Sequence, residues 1–289
     1  MSNFKGVSPI IMTLNNATSN ANVFQYSFPS GSVNFKNNSI ALQSVIIPYS
    51  WYNITSAYNN NSFQVIYPDG ASTITKTYTL PDGFYQITDI NNYLQAQMIA
   101  QGYFLVNAQN QNVYYIEIVP NGNLDKVQIN CYQTPTSLPT GYAYGSSGTW
   151  GTNGLPSNVN QVPQIVISAS NTFSTLIGFS AATYPSTATQ TSTYSATSTI
   201  IPQLSNVASL ICTCSLVNNI LANPANTMNS IPITSTFGSQ IIYAPTYLVK
   251  LNILDGNYNQ LTFSFFDNNL NALKILDENI TINLLIFKD

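Results

Sequence analysis

Apolar and polar residues alternate along much of the chain, which is the pattern of β-strands with one buried face. The clearest case is the last segment, where one face carries Ile280, Ile282, Leu284 and Ile286. The same alternation predicts strands at residues 23–28, 39–47, 63–67, 73–80, 113–119, 126–132, 164–168 and 208–216. Many short strands separated by turn residues predict an all-β fold, a sandwich or jelly roll.

Residues 249–265 predict a β-hairpin, with two alternating segments on either side of an Asp255-Gly256 turn. The turn region also carries oxygen donors at Asp255, Asn257 and Asn259, in the order of a calcium-binding loop. Such a loop needs more carboxylates and a closing bidentate glutamate, which is missing here. The hairpin is therefore the favoured interpretation.

One short α-helix interrupts the strands near residues 88–102. Thr88 is a candidate N-cap, and Gly102 can end the helix. The apolar stripe of this helix consists of Ile90, Leu94 and Met98.

Two segments, 134–163 and 180–202, are rich in Ser, Thr, Gly, Pro and Tyr. They predict ordered surface loops or part of an inserted subdomain, with flexible linkers as the alternative. Their aromatic residues are candidates for stacking on sugar rings, and they are Tyr142, Tyr144, Trp150, Tyr184 and Tyr194.

Only 6% of the residues are charged, the net charge is −3, and all seven basic residues are lysines. This composition argues against direct binding of nucleic acid through a basic surface. The chain has no histidine, which excludes a Ser-His-Asp or Cys-His arrangement. The carboxylates occupy turn-like contexts, so a non-enzymatic protein without cofactor or metal is expected, and an enzyme that uses carboxylates alone is the weaker alternative.

The three cysteines, Cys131, Cys212 and Cys214, have no disulfide-framework spacing and are expected in the core. The N-terminal apolar run is too short for a signal peptide, and no apolar stretch is long enough for a transmembrane helix. Synthesis and folding inside a cell are therefore expected.

An aromatic group follows the predicted strand at 39–47 and consists of Pro48, Tyr49, Trp51 and Tyr52. Proline lacks a backbone donor, so strand pairing is expected to end there or to run along an edge. Two interpretations remain open: the aromatic side chains form a subunit contact, or Trp51 and Tyr52 cap the chain's own core. The subunit contact is the preferred hypothesis for the group as a whole.

Between Ile40 and Lys288 the chain resembles the penton, or minor capsid, proteins of virophages and related polinton-like viruses. The stretches that carry the resemblance, in order, are IALQSVIIPYSWYNI, LPDGFYQITDINNYLQ, LIGFSAATYP, CTCSLVNN and LVKLNILDGNYNQLTFSFFDNNLNALKILDENITINLLIFK. Each stretch is short, and their common order is more specific than any one of them.

The resemblance implies a single jelly roll that forms homopentamers at icosahedral five-fold vertices, beside a double-jelly-roll major capsid protein. It implies no catalytic residue and places the long loops on the outer or central surface of the vertex. The family pattern marks Pro48, Tyr49, Trp51, Tyr52, Gly83, Phe84, Tyr85, Gly178, Phe179, Asn218, Asn219 and Asp255.

The leading hypothesis is therefore a structural protein of the virion, made in the host cytoplasm or a viral factory. The alternative is a receptor- or glycan-binding spike module of a virus.

Overall fold

The structure is a computed structural model that describes residues 7–16, 22–145, 149–205, 207–277 and 279–288. The strands in this part of the chain are β1 (Val7–Asn16), β2 (Val23–Ser27), β3 (Val33–Phe35), β4 (Asn38–Pro48), β5 (Ser62–Asp69), β6 (Ser72–Thr79), β7 (Leu105–Val106), β8 (Asn112–Val113), β9 (Ile116–Asn121), β10 (Lys126–Cys131), β11 (Ala143–Tyr144), β12 (Gln164–Ile167), β13 (Ala182–Tyr184), β14 (Tyr194–Thr197), β15 (Ser209–Cys214), β16 (Thr227–Pro232), β17 (Gln240–Tyr243), β18 (Leu251–Asn252), β19 (Gly256–Tyr258), β20 (Gln260–Phe266) and β21 (Ile280–Lys288). The helices are α1 (Ile87–Gln101), α2 (Thr149–Asn153) and α3 (Phe173–Ile177), with one 3₁₀ turn at Ser56–Tyr58.

The chain divides into two compact units. Unit 1 comprises the described residues of Met1–Trp51 and Ser205–Asp289, and unit 2 comprises those of Tyr52–Leu204. In chain order, unit 2 is therefore an insertion between β4 and β15 of unit 1. The sequence predicted a single jelly roll over residues 1–289, with segments 134–163 and 180–202 as surface loops or part of an inserted subdomain, and both segments fall within Tyr52–Leu204.

Unit 1 is a jelly roll, and its strand order establishes this. One row of four strands runs β1-β21-β4-β17 and the other runs β2-β20-β15-β16. The pairs within both rows are antiparallel, and the end of β1 continues the ladder onto β2 through Asn15 and Gln25. The first strand of the unit, β1, pairs with the last, β21. Together with the order of the two rows, this pairing is the double Greek key of a jelly roll. The predicted all-β fold is confirmed.

The core of unit 1 follows the alternation in the sequence. In β21 the predicted inward residues Ile280, Ile282, Leu284 and Ile286 are all buried. In the other row, the rings of Phe24 in β2 and Phe265 in β20 meet edge to face with their centroids 5.8 Å apart. Burying each such side chain stabilises the fold by about 1.5–3 kcal/mol.

The predicted hairpin at 249–265 is wrong. β18 pairs with β4, whereas β20 pairs with β2 and β15, so the two segments lie in different rows of the jelly roll. Between them, β19 pairs with β3. Asp255 therefore does not close a hairpin turn, and its Oδ1 accepts a hydrogen bond from the backbone N–H of Asn37 at 2.9 Å.

Unit 2 contains three small antiparallel sheets and the long helix α1. The sheet orders are β13-β12-β5-β6, β14-β10-β9 and β11-β7-β8. Helix α1 packs beside β9, where Asn91 Oδ1 accepts a hydrogen bond from the backbone N–H of Ile118 at 2.9 Å. The predicted apolar stripe of Ile90, Leu94 and Met98 is fully buried.

The end of α1 was predicted correctly, but its start was not. Gly102 closes the helix with a left-handed φ of 75°. The N-cap is Gln86 rather than Thr88, and the Asp89 side chain accepts a hydrogen bond from the backbone N–H of Gln86 at 2.8 Å. Asp89, at the third position of the helix, thus pairs with the backbone of the N-cap residue, as in a capping box.

The described residues of the two Ser/Thr-rich segments belong to unit 2. Segment 134–163 contains β11 and α2, and segment 180–202 contains β13 and β14. β13 pairs with β12, and β14 pairs with β10, so the second segment supplies edge strands to two sheets. The predicted strand at 113–119 is divided between β8 and β9.

Candidate interaction sites

The aromatic group after β4 packs inside unit 1 for the most part. Pro48 ends β4, where only β17 still pairs with it. Tyr49 and Trp51 are buried, and their rings stack with centroids 4.2 Å apart. Phe237 meets Tyr49 edge to face at 5.7 Å, and burial raises the pKa of Tyr49.

Trp51 and Tyr49 thus pack against each other in the core, whereas the second interpretation from the sequence named Trp51 and Tyr52 as the residues that cap it. Two buried rings offer little surface to a neighbouring subunit. Tyr52, the first residue of unit 2, is half-buried. A subunit contact made by Pro48, Tyr49, Trp51 and Tyr52 stays a prediction.

A different part of unit 1 carries large apolar side chains on its surface. We call this set the apolar rim, and its exposed members are Ile220, Leu221, Tyr247, Leu248, Val249 and Leu254. Leu221 is 94% exposed and Tyr247 is 83% exposed, although both are apolar enough to favour burial.

Backbone contacts hold the part of the apolar rim that contains Ile220 and Leu221. A bridge joins Val217 to Ile253, and the Asn218 N–H donates to the Asn252 carbonyl at 3.0 Å. Asn219 fixes the loop that presents Ile220 and Leu221, because its Oδ1 accepts from the Leu221 N–H at 3.2 Å. These bonds explain a structural use for Asn218 and Asn219, which the family pattern marks. The exposure of the rim was not predicted from the sequence, in which Val249 was assigned to a strand of the expected hairpin.

The structure does not bring the five predicted sugar-stacking residues together. Trp150 is buried, and its Nε1 donates to the Pro68 carbonyl at 2.9 Å, so the prediction that it stacks on an outer ligand is wrong. Its place in the core of unit 2 follows from its edge-to-face contacts with Tyr103 and Tyr115. Tyr144 is 38% exposed in β11.

The three remaining tyrosines are half-buried. Tyr184 packs edge to face on Phe179 at 5.1 Å, and Tyr194 lies opposite Cys131 in the ladder of β14 and β10. Tyr142 lies at a surface pocket of unit 2. Among the five candidates, Tyr142 thus lines a concave site of unit 2.

Two glycines of the family pattern serve the backbone. Gly83 and Ile54 exchange two backbone hydrogen bonds, at 2.9 and 3.1 Å, and a Cβ on Gly83 would lie 2.7 Å from the Tyr85 ring. Gly178 ends α3 in a left-handed conformation with a φ of 76°. Both positions have a packing explanation that involves no partner.

The sequence also makes predictions for the thiols and the candidate metal ligands of the described residues. Cys131, Cys212 and Cys214 are buried as free thiols, and burial raises the pKa of each. No group of three His, Cys, Asp or Glu side chains in the described ranges is arranged to hold a metal ion. None of the helices described is long and apolar enough to cross a membrane.

The solved structures similar to this chain include two from virophages. The mavirus penton protein aligns with a TM-score of 0.45 and 12% identity, over 99% of this chain and 100% of that chain. A chain from the cryo-EM structure of the Sputnik virophage aligns with a TM-score of 0.40 and 11% identity, over 98% of this chain and 97% of that one. No family model and no curated protein matches the chain.

Proposed function

We propose that this chain is a structural protein of a viral capsid that forms the homopentameric penton at five-fold vertices, beside a double-jelly-roll major capsid protein. Its place is then the virion, after synthesis in the host cytoplasm or a viral factory. The resemblance of five ordered sequence stretches to penton proteins supports this proposal.

The observation that carries the proposal is the apolar rim on a jelly-roll unit. Jelly rolls occur widely in viral capsid proteins. A soluble monomer exposes single apolar side chains, but consecutive exposed ones, as in Ile220–Leu221 and in Tyr247–Val249, are typical of a protein–protein contact. With 6% charged residues, contacts between copies would rest on apolar packing and neutral hydrogen bonds rather than on ion pairs.

The test is the solution mass, measured by light scattering after size exclusion at several concentrations. We expect a pentameric mass for the unaltered chain, and a monomer for the double variant Leu221→Asp with Tyr247→Asp. A charge buried in an apolar contact is costly, so the variant should weaken assembly by about a hundredfold or more. If the unaltered chain needs its major capsid partner to assemble, the same comparison is made after mixing the two proteins.

The matched control is Leu124→Asp, which places the same charge on an apolar residue of unit 2 that is 56% exposed. This variant should assemble like the unaltered chain. A chain that stays monomeric both alone and with the major capsid protein would contradict the penton role. A pentamer that tolerates the double variant would show that the subunit contact lies outside the apolar rim.

A further inference from the structure

Unit 2 contains two Asn-Gly pairs, which are candidates for chemical modification of the asparagine. Asn121-Gly122 lies where β9 ends and the turn to β10 begins, and Asn153-Gly154 lies at the end of α2. Asparagine is a thermolabile residue, and a following glycine has no Cβ to hinder the approach of its backbone nitrogen to the asparagine side chain. The two pairs have different surroundings, and these surroundings decide which asparagine can react.

The surroundings of Asn121-Gly122 leave the reacting groups accessible. Gly122 is exposed, and no atom lies within 4 Å of the position that a Cβ would take there. The Leu124 N–H donates to the Asn121 carbonyl at 3.1 Å, whereas the Gly122 N–H donates to no acceptor among the described residues. The half-buried Asn121 side chain donates from Nδ2 to Gln128 Oε1 at 3.1 Å. This hydrogen bond joins two neutral groups, so it restrains the side chain only weakly.

The surroundings of Asn153-Gly154 hold both reacting groups. The Gly154 N–H donates to the Trp150 carbonyl at 3.1 Å, so the attacking nitrogen is occupied. The Asn153 Nδ2 group donates to Oδ2 of the buried Asp69 at 3.0 Å. A hydrogen bond to a carboxylate is stronger than one between neutral groups. Asn153 therefore has to lose two hydrogen bonds, one of them strong, before it can react.

We propose that Asn121 is a site of spontaneous deamidation in the folded protein and that Asn153 is protected from the same reaction. The Gly122 nitrogen loses its proton and attacks Cγ of Asn121, the Cγ–Nδ2 bond breaks, and ammonia leaves. One water molecule then opens the resulting succinimide ring at either of its two carbonyl carbons, which gives aspartate or isoaspartate. The proposal stands independently of the penton role, because the local surroundings of the two pairs carry it.

Deamidation changes the hydrogen bonds on β10 as well as the charge of the chain. Gln128 Oε1 accepts from Asn121 Nδ2, and because two acceptors cannot pair, a carboxylate at position 121 requires the Gln128 amide to turn over. That rotation breaks the hydrogen bond from Gln128 Nε2 to Asn130 Oδ1, which is 2.7 Å long. Lys126 lies directly opposite position 121 in the ladder and supplies a positive charge that favours an aspartate there.

The experiment is peptide mass spectrometry of the full chain after incubation in mildly alkaline buffer, with samples taken over several days. Digestion with pepsin at low pH limits further deamidation during sample preparation. In the folded chain we expect Asn121 to convert at least about tenfold faster than Asn153, because the protecting hydrogen bonds of Asn153 raise its barrier. In urea both pairs lose their surroundings, and the two rates should become similar.

The matched variant is Gly122→Ala, which adds a Cβ beside the attacking nitrogen in open space and is therefore expected to fold. It should slow the conversion of Asn121 by about tenfold or more and leave Asn153 unchanged. Asn121→Asp carries the same added charge as the aspartate product and serves as its standard in anion-exchange chromatography.

Three results would overturn the proposed modification site. The first is an equal rate for Asn121 and Asn153 in the folded chain. The second is an Asn121 that converts in urea but stays unchanged in the folded chain over the same period. The third is a Gly122→Ala chain in which Asn121 converts as fast as in the unaltered chain.

Discussion

At the scale of single residues, Gly178 shows how one backbone position constrains unit 2. Its φ of 76° is one that residues with a Cβ rarely adopt, and a Cβ there would lie 2.3 Å from the Ile200 carbonyl oxygen. The obstacle is a backbone atom, and the Ile200 N–H also donates to the Gly178 carbonyl at 3.2 Å. The chain segments that contain Gly178 and Ile200 therefore cannot move apart without breaking this hydrogen bond.

We predict that Gly178→Ala lowers the free energy of unfolding by about 2–4 kcal/mol, from the left-handed backbone and the close contact together. Urea unfolding followed by circular dichroism measures this loss. The matched control is Gly122→Ala, where no atom lies within 4 Å of the added Cβ and φ is not positive. That control should change stability by less than about 1 kcal/mol. Equal losses in both variants would show that the contact with Ile200 is not a constraint.

At the scale of elements, β5 and β6 are joined by a buried pair of phenols as well as by their ladder. The hydroxyls of Tyr67 and Tyr78 lie 3.0 Å apart, and the Tyr67 ring stacks on Tyr103 at 4.0 Å. Burial raises the pKa of Tyr67 well above its usual value of 10, and that of Tyr78 to about 12. These phenols must stay neutral for this part of unit 2 to remain packed.

We predict alkaline unfolding of unit 2 from this pair. In the unfolded chain both phenols ionise near pH 10, whereas in the folded chain they hold their protons to a higher pH. Their contribution to stability is therefore complete below pH 10 and is lost as the pH rises from 10 to about 12. Tyrosinate absorbance should rise together with the loss of circular dichroism.

The control for this titration is the stability of the chain at neutral pH. The chain has no histidine, so stability should be flat between about pH 6 and 8. Gradual ionisation of all tyrosines near pH 10 with the sheets intact would contradict the proposed role of the buried pair.

The elements also show which parts of the fold could be predicted from the sequence. β21, β4 and the stripe of α1 could be predicted, because periodic burial is a local property of the chain. The partner of β18 could not, because it depends on which row of the jelly roll each strand joins. Asp255 and Asn37, which meet at 2.9 Å, are 218 positions apart in the sequence.

The same reason explains the outcome for the aromatic residues. Pro48 ends a strand, and that could be predicted from proline alone. Whether Tyr49 faces solvent depends on Phe237, which a single sequence does not place beside it. Trp150 likewise has polar neighbours in the sequence, but its partners in the core, Tyr103 and Tyr115, come from connections 35 or more residues earlier in the chain.

At the scale of the whole molecule, the ends of unit 2 are tied together by one side chain. Asn53 Nδ2 donates to the Leu204 carbonyl at 3.0 Å and to the Tyr85 carbonyl at 2.9 Å. Its Oδ1 accepts from the Tyr85 N–H at 2.8 Å, and Asn53 is 3% exposed. Two chain ends that meet in this way are what an inserted domain requires. No change of composition marks residues 52 or 204, so the boundaries could not be predicted from the sequence.

We predict that a fragment of residues 52–204 folds without unit 1, because it has its own core and its ends are already joined. It should unfold cooperatively, and Cys131, whose burial raises the pKa of its thiol, should resist thiol reagents in the fragment as in the full chain. Asn53→Ala should lower the stability of the fragment by about 2–3 kcal/mol, since it leaves buried backbone groups unpaired. Asn123→Ala, on an exposed turn, is the matched control. Rapid labelling of Cys131 in the fragment would mean that unit 2 needs the jelly roll to fold.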